Sequence, residues 1–381
     1  MAETASIRTG EEIDTASLGR YLQSHLANCD EELSVEQFPA GSSNLTYLVR
    51  AGATEYVLRR PPFGNTVKSA HDMRREFETL SKLSAIYSPA PKPLFFCDNE
   101  SVIGSEFYLM ERRHGLIIRG QIPSSDDRVS SPRVSSPHVS KGSVEGQNNL
   151  VSPEDVNNSQ PAREQVCRSF IRNLADLHSL DYRTAGLAEL GRPEGYNRRQ
   201  VEGWAKRYLA AKTHEWDALE NSIKWLNENI PAESGTSLIH NDYKFDNVML
   251  DPADLGRITA VLDWEMVTIG DPLMDLGTTL GYWMSPDAGD ELLSMPFNPR
   301  VLMEKVTRLQ IVEMYQQEVG RELPDLLFYY VFGTFKIAVI AQQIYARFAK
   351  GFTKDKRFAN FDRFAVALGQ IAKDAIGRRV V

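Results

Sequence analysis

The chain is poor in cysteine, in net positive charge and in long apolar runs, and each shortage argues against a class of protein. Its three cysteines, Cys29, Cys97 and Cys167, are scattered and form no C-x-x-C pair, which speaks against a disulfide framework or a structural zinc site and fits a reducing, cytoplasmic setting. Lys and Arg number 43 against 51 Asp and Glu, a formal net charge of -8, so no overall basic field exists to hold nucleic acid or an anionic membrane. The opening residues, MAETASIRTGEEID, include acids and no apolar core of the kind a secretory signal needs. The most apolar stretch, Leu326 to Ala341, is interrupted by Lys336 and falls short of the roughly twenty residues that span a bilayer, so it reads as a buried core helix.

What is present is an ordinary globular composition over 381 residues, 42% of them hydrophobic, enough to bury a large core in two lobes. Residues 13 to 27 place Leu18, Leu22 and Leu26 on one face of a helix, with Thr15 as its cap. The segments VEQFPAG, NLTYLVRAG and EYVLRR, separated by turns at Gly41 and Gly52, then read as a β-meander that Pro61-Pro62 ends. HDMRREFETLSKLS follows with helical spacing, and KPLFFCD and EFYLMER as two more strands. From Ala162 onward the pattern is mostly helical, apart from short apolar runs at 237 to 265. The expected organisation is an α+β arrangement with a small β-rich lobe, 1–111, before a larger helical lobe, 112–381. Residues 123–160, with their repeated RVSSP and scarcely a large apolar side chain, read as a disordered insertion or a long surface loop.

Chemistry concentrates in LIHNDYKFDNVMLDPADLGRITAVLDWEMVTIGDPLMDLG, residues 238 to 277. His240, Asp242, Lys244 and Asn247, followed after an apolar strand by Asp263, resemble the H-x-D-x-K-x-x-N catalytic loop and metal-binding Asp of protein-kinase-like enzymes. That resemblance implies that Asp242 accepts or orients the proton of an attacking hydroxyl, and that Lys244 neutralises charge on the transferred group. Asn247 and Asp263 would give hard oxygen ligands to Mg²⁺ on the phosphates of ATP. His240 and His178 read as structural, and Asp271 and Asp275 as holding the loop by capping a helix that starts near Pro272. The nucleotide cover would come from the early strands: Ser42, Ser43 and Asn44 in a turn of small residues, Arg59 where a phosphate-binding lysine would stand, Glu76 as its ion-pair partner, and Met110 and Glu111 in the hinge that carries adenine.

Taken together, GSSNLTYLV, YVLRRPP, RREFETL, LADLHSLDY, IHNDYKFDNVMLD, LDWEMVTIGDPLMDLG and FKIAVIAQQIYAR resemble the aminoglycoside phosphotransferase and choline kinase-like family, over nearly the whole chain. Within it they are most similar to the branch of kinase-like domains attached to some acyl-CoA dehydrogenases. The resemblance implies a bilobal protein-kinase-like fold and ATP- and Mg²⁺-dependent phosphorylation of a small-molecule hydroxyl, with a CoA-linked hydroxy acid as the acceptor this branch suggests. Asp263-Trp264-Glu265 departs from D-F-G, Arg replaces Lys at position 59, and Gly270-Asp271-Pro272 leaves no room for the activation segment of a protein kinase. Arg192, Arg198, Arg199, Lys206, Arg207 and Lys212, with Tyr196, Trp204 and Tyr208 interleaved, read either as a basic stacking surface for an anionic carrier or as a solvated helix face. An aminoglycoside or amino-alcohol kinase, and a catalytically silent kinase-fold binding protein, stand as the alternatives.

Overall fold

The computed structural model describes residues 4–26, 33–38, 44–62, 72–119, 150–284, 286, 288, 290–293, 299–353 and 355–381. The chain divides into two compact units. Unit 1 is Met1–His114 with Arg183–Leu187 and Ala260–Glu265; unit 2 is Gly115–Tyr182, Ala188–Thr259 and Met266–Val381. The division therefore falls after His114, where the sequence suggested Glu111, and two later segments return to unit 1.

Unit 1 is built on the antiparallel sheet β1 (Leu33–Gln37), β2 (Leu45–Ala51), β3 (Thr54–Arg60), β4 (Pro93–Cys97) and β5 (Phe107–Glu111), in the order β1-β2-β3-β5-β4. Alternation assigns its two faces. Tyr47, Val49, Leu58, Phe107 and Leu109 cluster with Leu18 and Leu22 of α1 (Thr15–Gln23). On the other face Tyr108 and Phe96 meet Phe77 of α2 (Met73–Leu83), with ring centroids 6.2 and 5.8 Å apart. The N-cap of α1 is Asp14 rather than the expected Thr15, because the Asp14 carboxylate reaches the Ser17 N–H at 2.9 Å.

Unit 2 comprises α3 (Pro153–Asn158), α4 (Gln160–His178), α5 (Tyr196–Ala211), α6 (Asp217–Glu228), the short strands β6 (Ser237–Ile239), β7 (Val248–Asp251), β8 (Asp254–Val261, which passes into unit 1 at Ala260) and β9 (Thr268–Gly270), then α7 (Pro272–Tyr282), α8 (Asp290–Leu293), α9 (Arg300–Met303), α10 (Arg308–Val319), α11 (Leu327–Ala349) and α12 (Phe361–Arg378). The sequence reading of 123–160 as disordered is corrected at its end. Ser152 and Asp155 form a reciprocal capping box on α3, and Val151 and Val156 are buried, so this end has both a local start signal and an apolar anchor. Residues 120–149 lie outside the described residues.

Among the described residues α11 is long and apolar enough to cross a membrane, and 83% of its most apolar window is buried inside the protein, as befits a core helix. It packs on α7 with unusually close backbones. A Cβ added to Gly333 of α11 would overlap the carbonyl of Gly277 on α7, and one added to Gly277 would overlap the carbonyl of Tyr329. This approach lets side chains of α11 reach the loop that α7 anchors.

Candidate active site

The candidate catalytic loop begins where β6, paired antiparallel with β9, releases the chain at a fully buried His240. Asp271 caps α7 by accepting the Leu273 N–H at 2.9 Å, with Pro272 in the first turn. Asp275, one turn further, accepts the backbone N–H groups of His240 and Asn241, both at 2.7 Å, and faces His178 Nε2 at 3.2 Å. Burial pushes the Asp275 carboxyl toward the neutral form, but the His178 hydrogen bond and charge, supported by His240, hold its pKa below the ordinary value. His240 Nδ1 accepts the Asp242 N–H at 3.2 Å, and His178 Nδ1 meets the Tyr315 hydroxyl at 2.7 Å; both histidines are structural, as their sequence context suggested.

Asn241 turns the chain at φ 67°, in the left-handed region that non-glycine residues seldom enter. Its side chain is clamped, Nδ2 donating to Met266 O at 3.0 Å and Oδ1 accepting the Tyr196 hydroxyl at 3.2 Å. Its carbonyl accepts from Lys336 Nζ of α11.

The turn delivers Asp242 into a ring of donors. Oδ2 accepts Lys244 Nζ at 2.7 Å and Asn247 Nδ2 at 3.0 Å, while Oδ1 accepts the Tyr282 hydroxyl at 2.7 Å. Burial opposes the Asp242 charge, but neighbouring Lys244 outweighs it, helped by Tyr282 and Lys336, and its pKa is lowered. Lys244 stays protonated for the reciprocal reason: burial disfavours its charge, and Asp242 more than offsets that. The result is a buried, oriented carboxylate that is a hydrogen-bond acceptor at neutral pH. Asn247 also gives its amide N–H to the Asp242 carbonyl at 2.9 Å, so its amide nitrogen is committed and its oxygen is the atom left to serve a cation.

A second cluster forms within unit 1. Arg59 is registered opposite Tyr108, on the sheet face that α2 covers. Its buried guanidinium pairs with Glu76 Oε1 at 2.9 Å and Asp263 Oδ1 at 3.0 Å, with Glu265 Oε2 at 3.9 Å. Burial works against the Arg59 charge and Glu76, Asp263 and Glu265 maintain it; burial raises the Glu76 pKa although Arg59 opposes the shift. The pair is thus an internal one, unlike a surface ion pair. Asp263 sits at φ 65°, the second left-handed non-glycine residue of the motif. Its side chain keeps 34% exposure, and among the described residues its Oδ2 makes no hydrogen bond. The neighbouring Trp264 is buried, donating to Val261 O at 2.8 Å and meeting Tyr87 edge-on. Asn44 Nδ2 donates to Glu265 Oε2 at 2.8 Å.

Asp242, Lys244 and Asn247 are therefore brought together in unit 2, and Arg59, Glu76, Asp263 and Asn44 in unit 1. Ser42 and Ser43 lie outside the described residues. Met110 is buried in β5, and Glu111 is engaged by its sheet edge, its N–H donating to Lys92 O at 2.9 Å and its Oε1 accepting the Lys92 N–H at 2.7 Å. Sequence reasoning missed Tyr282, Glu265 and the role of Lys336. Lys336 carried a signal, a lone charge inside the most apolar helix; Tyr282 lay roughly two turns beyond Asp275 on the same helix.

The basic stretch of α5 requires a correction. Tyr196, Trp204 and Tyr208 are not an exposed stacking surface: they occupy the core-facing stripe of α5 and are buried. Arg199 donates to the carbonyls of Arg192 and Glu194, and Lys212 pairs with Glu220 at 3.1 Å and Glu215 at 3.4 Å. Arg198, Lys206 and Arg207 remain exposed, Arg207 lying 4.6 Å from the Trp204 ring centroid.

Among the described residues no group of three or more His, Cys, Asp or Glu is placed to hold a metal ion. The Asn247 side-chain oxygen in unit 2 and the Asp263 carboxylate in unit 1 are each a hard donor of the kind magnesium takes.

The kinase-type fold, together with the family match, makes this a phosphotransferase with an alcohol group as acceptor. The chain belongs to the APH phosphotransferase enzyme family, whose family model matches residues 34–131 and 143–296. It is 33% identical to acyl-CoA dehydrogenase family member 11 of Gallus gallus over 356 residues, covering 91% of this chain and 41% of that one. The chain thus spans less than half the length of that curated relative. A presumed aminoglycoside phosphotransferase from Ralstonia eutropha superposes with a TM-score of 0.70 at 27% identity, covering 96% of this chain and 99% of that one. A thermostable mutant of aminoglycoside phosphotransferase APH(4)-Ia, in ternary complex with AMP-PNP and hygromycin B, shares the fold with a TM-score of 0.51 at 18% identity, covering 95% and 98%.

Proposed function

We propose that this phosphotransferase moves the γ-phosphoryl group of ATP to the hydroxyl of an acyl group carried on coenzyme A. The observation that carries the phosphoryl-transfer reading is Asp242, a buried carboxylate kept ionised and aimed by Lys244, Asn247 and Tyr282. In the step itself the acceptor O–H bond breaks, its proton passing to the Asp242 carboxylate. The freed oxygen bonds the γ-phosphorus as the bond to the β-phosphate oxygen breaks, and ADP leaves. Lys244 offsets negative charge beside the reacting oxygen. Asn247 and Asp263 would each offer an oxygen to Mg²⁺, which when bound would neutralise phosphate charge. Arg59, held by Glu76, meets the nucleotide phosphates, and Asn44, Met110 and Glu111 belong to the nucleotide-binding side. AMP-PNP in the APH(4)-Ia complex supports ATP as the donor.

The acyl-CoA acceptor is supported by the name of the Gallus gallus relative and by the exposed cations Arg198, Lys206 and Arg207 on α5, which suit an anionic carrier better than a polycationic aminoglycoside. The test is ADP release and acceptor mass gain with Mg-ATP across matched hydroxyacyl-CoA thioesters, free hydroxy acids, amino alcohols and aminoglycosides. Turnover should be highest with a thioester. Phosphorylation confined to amino alcohols or aminoglycosides would overturn the CoA assignment, and absence of transfer to every acceptor would overturn the kinase reading.

A further inference from the structure

Lys336 is the one charged side chain along the buried stretch of α11, with 1% of its surface exposed. An ammonium in such a place is costly unless it is hydrogen-bonded and paired. Its Nζ donates to the carbonyl of Asn241, the left-handed residue immediately before Asp242. Every other polar group of Asn241 is already pinned: the N–H by Asp275, the side chain by Tyr196 and Met266. Lys336 closes the last one. We infer that Lys336 is a positioning residue, whose ammonium clamps the Asn241 carbonyl and so sets the direction in which Asp242 meets the acceptor hydroxyl. This rests on the reading of Asp242 as the group that receives that proton.

The clamp is reversible in an accessible pH range. Burial lowers the Lys336 pKa from the ordinary lysine value to about 8; Asp242 and Asp275 favour its charge, and Lys244 and, from α5, Arg207 oppose it. Above that pH the Asn241 carbonyl loses its charged donor and Asp242 loses a neighbouring positive charge, so kcat should fall. Lys336 Nζ also lies 5.6 Å from the ring centroid of Trp204, which makes that indole a reporter of its protonation.

The experiment measures kcat and KM between pH 6.5 and 9.5 in the intact chain, in Lys336→Met and in Lys336→Arg. Trp204 emission, taken as the difference between the protein and Trp204→Phe, is followed over the same range. The expected result is a fall in kcat that tracks a Trp204 transition near pH 8, both lost in Lys336→Met. That variant should turn over about 10- to 100-fold more slowly, the effect of a misplaced catalytic group, with KM for ATP unchanged. Lys336→Arg, whose guanidinium keeps its charge, should restore part of kcat and hold it level to high pH. Wild-type kcat in Lys336→Met would overturn the inference. So would a Trp204 transition in the unmodified protein with no accompanying change in kcat, a comparison that stands even if Lys336→Met does not fold. If no hydroxyl acceptor is phosphorylated while Trp204 still titrates, the kinase reading has failed and the positioning role falls with it.

Discussion

Asp242 and Arg59 keep their charges in mirror-image surroundings. Asp242 is an acid kept charged in a buried site because Lys244 outweighs burial; Arg59 is a base kept charged because acids surround it. Asp242→Asn preserves shape and the Tyr282 contact but removes the proton acceptor. Turnover should fall about 10²-fold or more at unchanged KM for ATP, and unaltered kcat would remove the assignment. Arg59 bridges Glu76 and Asp263 with two different nitrogens, which the single ammonium of Lys cannot reproduce. Arg59→Lys should therefore raise KM for ATP by about 3- to 10-fold with acceptor KM unchanged, the loss of one charge-assisted bond. Steady-state titration of each substrate separates the two.

At the scale of elements, α7 and α11 determine whether the catalytic loop is presented. Their backbones touch through Gly277 and Gly333, so Gly333→Ala forces the helices apart; it should cost about 1–3 kcal/mol in urea unfolding and reduce kcat, because Lys336 rides on α11. Gly377, on the exposed side of α12 with nothing near an added Cβ, is the control. Gly377→Ala, next to last in α12, should change stability by about 0.5 kcal/mol or less. A Gly333→Ala protein as stable as the original would show that the two helices can slide without consequence.

For the whole molecule the same buried carboxylates set the acid limit. Asp242 and Asp275 both have lowered folded-state pKa values. Their contribution is present above the unfolded value of about 3.8 and is lost as pH falls through the folded values, because the unfolded chain then binds protons first. Asp275→Asn, which leaves His178 without its anionic partner and turns an amide toward one loop N–H, should destabilise by about 3–5 kcal/mol near neutral pH. The gap to the unmodified protein should narrow as pH falls below about 3.8 and through the lowered folded value, since both then carry a neutral side chain. Denaturant midpoints at several pH values measure it; a gap independent of pH would mean that packing, not charge, is what Asp275 contributes.

The sequence alone determined the chemistry that lies close along the chain. Asp242, Lys244 and Asn247 were legible because one loop holds all three at a set spacing, and Arg59 with Glu76 because a strand and the next helix put them on adjoining faces. Alternation and helical spacing likewise made the β-rich lobe and the core role of α11 readable, since each element's buried face is written in its own period. What only the tertiary structure decided was partnership across long separations. Tyr282 and Lys336 converge on the loop from α7 and α11, and no local pattern says which side chain of a helix meets a distant turn. The aromatics of α5 were misread for the same reason: a residue type suited to stacking on a ligand is equally suited to a core, and only packing assigns the face.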